Sequence, residues 1–203
     1  PLLERWHKKA LILGTGGASK AVNYGLRSLG LETVFVSRYE RPGTIQYDKI
    51  TPDVIKEYNV IVNCTPVGMY PNEDAAPVEL SRLPALCGVA DAVFNPLTTR
   101  LVRGAMARGI PSAGGLYMLV AQAASACGFF TGSPVESDAV EQITAGIALD
   151  TQNIILIGMP GCGKSTVGRE IARISGRPFV DADEDVAAAI DAYRDYIMKE
   201  TLA

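Results

Sequence analysis

The sequence has little of the two residue types that most often hold metals or act as catalytic bases. Its 203 residues include one histidine, His7, and four cysteines. The cysteines are Cys64, Cys87, Cys127 and Cys162, and no two of them form a C-x-x-C pair. We therefore expect four reduced thiols and no metal site built from these residues. His7 lies near the start of the sequence and is expected at the surface.

The sequence also lacks an apolar run long enough to cross a bilayer, and it has no clustered basic segment. Its formal net charge is −3, from 19 lysine and arginine residues against 22 aspartate and glutamate residues. These features predict neither a membrane nor a nucleic-acid partner. The first ten residues show no signal-peptide pattern, so a cytoplasmic protein is expected. Because no methionine stands first, we expect the sequence to begin inside a larger protein.

From residue 6 to residue 109, short apolar runs alternate with helical patterns. Strands are predicted at residues 9–13, 33–37, 60–63 and 88–94 and around Ile110, and helices at residues 19–29 and 97–108. Strands that alternate with helices indicate a parallel sheet covered on both faces, which is a doubly wound α/β fold.

The pattern changes after Gly115. Residues 116–130 are apolar almost all round, which predicts a helix buried between layers, and residues 135–149 form an amphipathic helical pattern. A second α/β pattern then starts, with strands predicted at residues 154–157 and 179–183 and helices at residues 166–174 and 184–190. We predict two domains, 1–150 and 151–203.

The first glycine-rich turn, Gly14-Thr15-Gly16-Gly17, stands between a predicted strand and a predicted helix. This spacing lets the backbone turn sharply and approach the pyrophosphate of a dinucleotide. The third glycine of the G-x-G-x-x-G pattern is replaced by Ser19. A glycine-rich turn that binds no ligand is the alternative.

The end of the second predicted strand indicates which dinucleotide is bound. An NAD site usually has a carboxylate there, whereas this sequence has Ser37 and Arg38, with no carboxylate before Glu40. A guanidinium favours the 2′-phosphate of NADP. The alternative is that Arg38 is only a solvated residue at the end of a strand.

Four segments in this region resemble shikimate dehydrogenase: GTGGASK at 14–20, NCTPVGM at 63–69, DAVFNPLTT at 91–99 and GLYMLVAQA at 115–123. The resemblance runs from about residue 6 to residue 149. It implies a Rossmann-like domain with C-terminal helices, and the NADPH-dependent reduction of 3-dehydroshikimate to shikimate.

The resemblance also implies residue roles. The implied NADP-binding residues are Gly14, Thr15, Gly16, Gly17, Ala18, Ser37, Arg38, Asn63, Thr65 and Gly115. Phe94 and Gln122 are implied to contact the substrate, although Phe94 replaces the family's usual tyrosine. Arg41 is one residue away from a second basic position of the family and receives no role. In this family the catalytic lysine and aspartate come from an N-terminal substrate domain. We therefore expect the 203 residues of this sequence to be inactive by themselves.

The second glycine-rich turn fits G-x-x-x-x-G-K-[ST] over residues 158–166. In such a loop the amides hold phosphates, Lys164 reaches the β- and γ-phosphates, and Ser165 binds Mg²⁺. The predicted ATP-binding residues are Gly161, Cys162, Gly163, Lys164, Ser165 and Thr166. Asp181 and Asp183 are expected on one face of the following strand, and helix capping is the alternative.

Residues 153–190 together resemble the start of a shikimate kinase, whose P-loop α/β fold would be truncated here. The resemblance implies that Asp181 lies near Mg²⁺, that Asp183 binds shikimate, and that Lys164 and Asp183 are catalytic. After Ile190 the resemblance fails, because the family's substrate arginine, glycine pair and lid arginines are absent.

Two motif sets from consecutive reactions favour part of a bifunctional dehydrogenase and kinase that uses NADP and ATP with Mg²⁺. Its expected partners are the small molecules 3-dehydroshikimate and shikimate. A non-catalytic nucleotide-binding remnant and an NAD-dependent quinate/shikimate dehydrogenase are the alternatives, and the oligomeric state is left open.

Overall fold

The computed structural model describes residues 9–187 and residue 190. The chain forms two compact units, Pro1–Thr151 and Gln152–Ala203, and each is described by itself below. The predictions for His7 and for the sequence after Ile190 fall outside the described residues.

The first unit contains a six-stranded sheet in which every neighbouring pair is parallel. Its strands are β1 (Lys9–Leu13), β2 (Glu32–Ser37), β3 (Thr44–Gln46), β4 (Val60–Asn63), β5 (Gly88–Asp91) and β6 (Ser112–Ala113). Their order in the sheet is β3-β2-β1-β4-β5-β6, so the direction of winding reverses between β1 and β4. This topology confirms the predicted Rossmann-like α/β fold.

The described residues of the first unit form five α-helices. They are α1 (Gly17–Ser28), α2 (Pro52–Glu57), α3 (Arg100–Ala107), α4 (Leu116–Thr131) and α5 (Ser137–Thr151). Helix α3 begins later than the predicted residue 97 because Thr99 caps it, its hydroxyl accepting a hydrogen bond from the Val102 amide at 3.3 Å.

The core lies on both faces of the central strands. Leu11 and Ile61 belong to one buried cluster, and Ala10 and Val60 belong to a second cluster on the other face. Successive side chains of a strand point to opposite faces, so a strand covered on both sides must be apolar throughout. This explains why β1 and β4 are continuous apolar runs.

Two sequence predictions for the sheet are wrong in detail, and one strand was missed. Strand β5 ends at Asp91 and not at Phe94, the last strand is Ser112–Ala113 and not Ile110, and Thr44–Gln46 was not predicted. Strands as short as β3 and β6 carry too few residues to show a period of two.

The prediction that the first long C-terminal helix is buried between layers is also wrong. Val120 is the buried residue of α4, whereas Phe129 and Phe130 are 87% and 90% exposed. Helix α4 packs along α5. One neighbouring helix covers only one side of an apolar helix, which leaves its other faces open.

The second unit differs most from its prediction. Helix α6 (Lys164–Ser175) is close to the predicted helix, but neither predicted strand is present among the described residues of this unit. Ile155 is 77% exposed, and Asp183 lies in a helical segment at residues 182–187. A strand needs a hydrogen-bonded neighbour, and the described residues of this unit provide none. Within the described residues of the chain, no helix is both long and apolar enough to cross a membrane.

Candidate functional site

The glycine-rich turn after β1 is fixed by the sheet beneath it. Gly14 has a φ of +102°, and its amide donates a hydrogen bond to the Val36 carbonyl at 2.9 Å. A Cβ on Gly14 would lie 3.1 Å from Thr65 Cγ2 and 3.3 Å from the Cys64 carbonyl oxygen. Both the backbone conformation and the close packing therefore require glycine here.

The first turn of α1 leaves its amide groups available. Gly16 is the N-cap and offers no side-chain cap, and the first turn contains no acidic residue. Gly17 and Ala18 follow it and are exposed, and a Cβ on Gly16 or Gly17 would meet no atom within 4 Å. Free amides at the positive end of a helix form a suitable site for a phosphate group.

Ser19 explains how the turn tolerates the loss of its third glycine. Its side chain is fully buried, and its hydroxyl donates a hydrogen bond to the Gly16 carbonyl at 2.7 Å. A small side chain with a satisfied hydroxyl fits between helix and sheet at little cost.

Two cations follow β2, the strand that pairs with β1, and one of them contacts this turn. Arg38 follows β2, is exposed, and has its guanidinium 6.0 Å from the centre of the Tyr39 ring. Ser37 is buried, and its hydroxyl accepts a hydrogen bond from the Tyr39 amide at 3.1 Å. Arg41 Nη1 donates to Thr15 Oγ1 at 3.4 Å, which places this guanidinium at the glycine-rich turn itself.

Arg41 is therefore a candidate site residue to which the sequence analysis gave no role. The available signal was its charge and its position three residues after Arg38. The one-residue displacement from the family position hid it, because contact across a turn depends on the path of the backbone and not on sequence position alone.

A buried polar network joins the carboxyl ends of β4 and β5. Asn63 and Asp91 are register partners, with exposures of 0% and 3%. Asp91 Oδ1 accepts hydrogen bonds from Asn63 Nδ2 at 2.9 Å and from the Val93 amide at 3.0 Å, and Oδ2 accepts one from the Thr99 hydroxyl at 2.7 Å. Asn63 Oδ1 in turn accepts the Thr65 hydroxyl at 2.7 Å and the Thr65 amide at 3.0 Å.

The burial of this network raises the pKa values of Asp91 and of the neighbouring Cys64. Burial raises the pKa of Asp91, although hydrogen bonds from Val93, Thr99 and Asn63 oppose that rise. Burial and the nearby Asp91 charge raise the pKa of Cys64 to about 12. The Cys64 thiol therefore stays protonated at neutral pH and is unsuited to nucleophilic chemistry.

The segment after β5 contacts the start of α4 at the edge of the sheet where β4 and β5 end. The Gly115 amide donates to the Val93 carbonyl at 3.0 Å, and a Cβ on Gly115 would overlap the Ala92 carbonyl oxygen. Phe94 is 43% exposed. Gln122 is exposed on α4. The structure thus brings Gly115 and Phe94 to the edge that carries Asn63 and Thr65.

The second unit places its motif residues differently. Lys164 Nζ donates hydrogen bonds to the carbonyls of Gly158 and Met159, both at 2.9 Å, so the side chain is folded back onto its own loop. Gly161 and Gly163 have φ values of +75° and +89°. The exposed residues of the motif include Cys162 and Thr166.

The two aspartates do not share a strand face. Asp181 Oδ2 accepts the Ser165 hydroxyl at 2.9 Å, and its Oδ1 accepts the Asp183 amide at 3.2 Å. Asp181 therefore caps the helical segment that contains Asp183, which agrees with the capping alternative. The structure therefore brings together Ser165 and Asp181, the two side chains that were expected near Mg²⁺.

Known proteins resemble the chain in sequence. A shikimate dehydrogenase (NADP(+)) of Caldicellulosiruptor bescii is 35% identical over 133 residues, which cover 59% of this chain and 46% of that protein. The second unit, residues 152–203, makes up only about a quarter of the chain. A match that covers 59% of the chain must therefore lie mostly in the first unit. The chain is similar to shikimate dehydrogenases. It spans about half the length of the curated relatives it matches.

Solved structures show the same similarity. The chorismate mutase/shikimate 5-dehydrogenase fusion protein of Clostridium acetobutylicum has a TM-score of 0.63 at 27% identity, covering 72% of this chain and 56% of that chain. Quinate dehydrogenase of Corynebacterium glutamicum, solved in complex with NAD, has a TM-score of 0.60 at 25% identity and covers 70% of this chain and 55% of that chain. The family model for shikimate kinase matches residues 160–201, which lie in the second unit.

Proposed function

We propose that the first unit is the NADP-binding part of a shikimate dehydrogenase, an enzyme that reduces 3-dehydroshikimate to shikimate. The observation that carries this proposal is the Arg41 guanidinium beside a glycine-rich turn that opens a helix, with a second guanidinium, Arg38, directly after the neighbouring strand β2. The similarity to NADP-dependent shikimate dehydrogenases supports it.

The residues fit a dinucleotide with a 2′-phosphate. The amides of Gly16, Gly17 and Ala18 would hold the pyrophosphate at the N-terminus of α1. Ser37 and the two guanidinium groups would surround the 2′-phosphate, whose negative charge they neutralise. Among the five residues from Ser37 to Arg41, only Glu40 carries a negative charge.

The nicotinamide half would lie at the ends of β4 and β5. Asn63 is fully buried and hydrogen-bonded inside the protein, so it would shape this region through Thr65. Gly115 would let the cofactor approach the backbone closely. The cofactor, when bound, supplies the hydride, and Phe94 and Gln122 would contact the carbon skeleton and hydroxyl groups of the substrate.

An NAD-dependent quinate or shikimate dehydrogenase is the second candidate. The structural similarity to a quinate dehydrogenase solved with NAD favours it. The cations at positions 38 and 41 argue for NADP, because NAD offers no 2′-phosphate for them to bind.

Calorimetry with NADPH and NADH tests the cofactor. We expect micromolar binding of NADPH and an affinity at least about tenfold weaker for NADH, since a lost charge-assisted contact is worth about 1.5–3 kcal/mol. Arg38→Ala and Arg41→Ala should each narrow that gap. Lys56→Ala is the matched control, because Lys56 is an exposed cation on α2 that pairs with Asp53. Equal binding of the two cofactors by the unaltered protein would exclude the NADP proposal.

The same samples test the expectation of inactivity. These 203 residues should bind NADPH without oxidising shikimate in the presence of NADP⁺. Oxidation of shikimate by a purified sample would show that the 203 residues include the groups that transfer the proton.

For the second unit we propose an ATP site of the shikimate kinase type. The contact between Ser165 and Asp181 and the family match at 160–201 support this proposal. Lys164 would have to leave the carbonyls of Gly158 and Met159 to reach a phosphate. Asp183 would contact shikimate only if its helical segment rearranged.

Binding of ATP with Mg²⁺, measured by calorimetry, tests the second site. We expect Lys164→Ala to abolish the binding and Arg173→Ala to preserve it, because Arg173 forms an exposed ion pair with Glu170 on the last turn of α6. If the unaltered protein binds no ATP, the proposed ATP site in this unit is excluded; binding of ATP without any phosphorylation of shikimate would favour the non-catalytic nucleotide-binding remnant.

A further inference from the structure

Asp91 is a buried carboxylate to which the motifs assign no chemistry. It ends β5 and is 3% exposed. A buried charge is costly unless hydrogen bonds satisfy it, and three donors from three different segments converge on this one. An apolar residue would fill the same place in a sheet core at lower cost, so its position calls for a reason beyond stability.

One branch of the network leads to the glycine-rich turn. Asp91 fixes the Asn63 amide, which also donates to the Val67 carbonyl at 3.3 Å. The orientation of this amide leaves its oxygen to accept both the hydroxyl and the amide of Thr65. Thr65 Cγ2 is the atom that packs against Gly14, so the position of the threonine methyl group depends on Asp91.

The other branch leads to the start of α4. Asp91 accepts the Val93 amide, and the Val93 carbonyl accepts the Gly115 amide at 3.0 Å. The amide and the carbonyl of Val93 are thus both fixed by hydrogen bonds. Because Phe94 follows directly, this branch sets the path of the segment that carries it.

We propose that Asp91 is a positioning residue that holds both walls of the nicotinamide half of the site, through Asn63 and Thr65 on one side and through Val93 and Gly115 on the other. This inference rests on the proposed function, because it assumes a dinucleotide in the site.

The donors around Asp91 require a carboxylate. The Thr99 hydroxyl accepts the Val102 amide and therefore directs its proton to Asp91 Oδ2. An asparagine at position 91 keeps one oxygen for Asn63 and Val93 but turns an NH₂ group toward Thr99. Asp91→Asn thus loses one hydrogen bond, whereas Asp91→Ala loses three.

The test compares two ligands on the full chain by calorimetry. NADPH occupies both halves of the site, while 2′,5′-ADP carries the adenosine and 2′-phosphate without the nicotinamide. Taking about 1 kcal/mol per hydrogen bond, we expect Asp91→Ala, which loses the contacts with Asn63 and Val93, to weaken NADPH binding at least about tenfold. Asp91→Asn keeps an oxygen for both of these donors and should change NADPH binding by less than about twofold. Both variants should keep their affinity for 2′,5′-ADP within about twofold, since Arg38 and Arg41 remain in place.

A structural control separates positioning from loss of stability. Thr99→Val removes the hydrogen bond to Asp91 Oδ2 and the cap of α3 while leaving the contacts of Asn63 and Val93 with Oδ1. It should lower the melting temperature and leave the ratio of the two affinities unchanged. If Asp91→Ala does not fold, Asp91→Ser decides, because its shorter side chain cannot reach all three donors.

The outcomes are distinct. Equal weakening of both ligands by Asp91→Ala, or unchanged NADPH binding by that variant, would overturn the positioning role. Failure of the unaltered protein to bind either ligand would instead refute the proposed function.

Discussion

The chain contains two glycine-rich turns, each followed by a helix, and they differ in what lies beneath them. The turn at Gly14 follows β1, whose residues Ala10 to Leu13 are fully buried between β2 and β4. The turn at Gly158 follows a segment without strand structure, in which Ile155 and Ile157 are 77% and 92% exposed.

The comparison separates local from distant causes. Helices α1 and α6 both form, because a helix closes its hydrogen bonds within the segment and both turns supply glycine at the helix start. A parallel strand forms only beside a partner supplied from elsewhere in the chain. A similar motif therefore gives a turn supported by a sheet in the first unit and an exposed loop in the second.

Truncation of one isoleucine before each turn gives the largest expected difference. Ile12→Ala should lower the free energy of unfolding by about 2–5 kcal/mol, because Ile12 is fully buried in β1. Ile155→Ala should change it by less than about 0.5 kcal/mol, since that side chain is exposed. Urea unfolding followed by circular dichroism measures both. A comparable loss for Ile155→Ala would show that residues 154–157 pack as a strand after all.

Alanine at one glycine of each turn should give a smaller difference. Gly14→Ala strains a backbone at φ +102°, at about 1–3 kcal/mol, and also crowds Thr65 and Cys64. Gly161→Ala also strains the backbone, at φ +75°, but its Cβ would meet no atom within 4 Å. Differential scanning calorimetry should show a large decrease in the transition temperature for Gly14→Ala and a smaller decrease for Gly161→Ala. Equal shifts would mean that both loops are held with similar rigidity.

The reactivity of one thiol near each turn, Cys64 and Cys162, compares the two regions without a substitution. The pKa of about 12 leaves Cys64 protonated at pH 8, so its alkylation by iodoacetamide should be on the order of a thousandfold slower than that of an ordinary thiol. Cys162 is exposed in the second loop and should react readily. Peptide mass spectrometry over a time course reports both rates. Rapid modification of Cys64 would show that the end of β4 opens to solvent.

Much of the first unit was predictable because its signals are local. The bounds of β1 and β4 agree with the predicted strands, since both are continuous apolar runs between turn residues. Strand β3 was missed because three residues show no period. Helix α4 was predicted to be buried from its composition, but composition does not say how many neighbours surround a helix.

The candidate site was predictable in part for the same reason. Gly14 and Arg38 are recognisable from their types and from the elements around them. Arg41 was set aside, and its contact with Thr15 depends on how the chain turns after β2. Asp91 stood within a quoted motif, yet its three hydrogen bonds come from segments up to 28 residues away.

The sequence by itself determined the order of strand, turn and helix at Gly14, and from Arg38 it predicts a 2′-phosphate ligand. These follow from backbone conformation and charge, which are properties of neighbouring residues. The tertiary structure alone decided that Asp91 joins two walls of the site and that residues 154–157 lack a sheet to support them. Burial and hydrogen bonding between distant segments exist only once the chain has folded, so no local pattern records them.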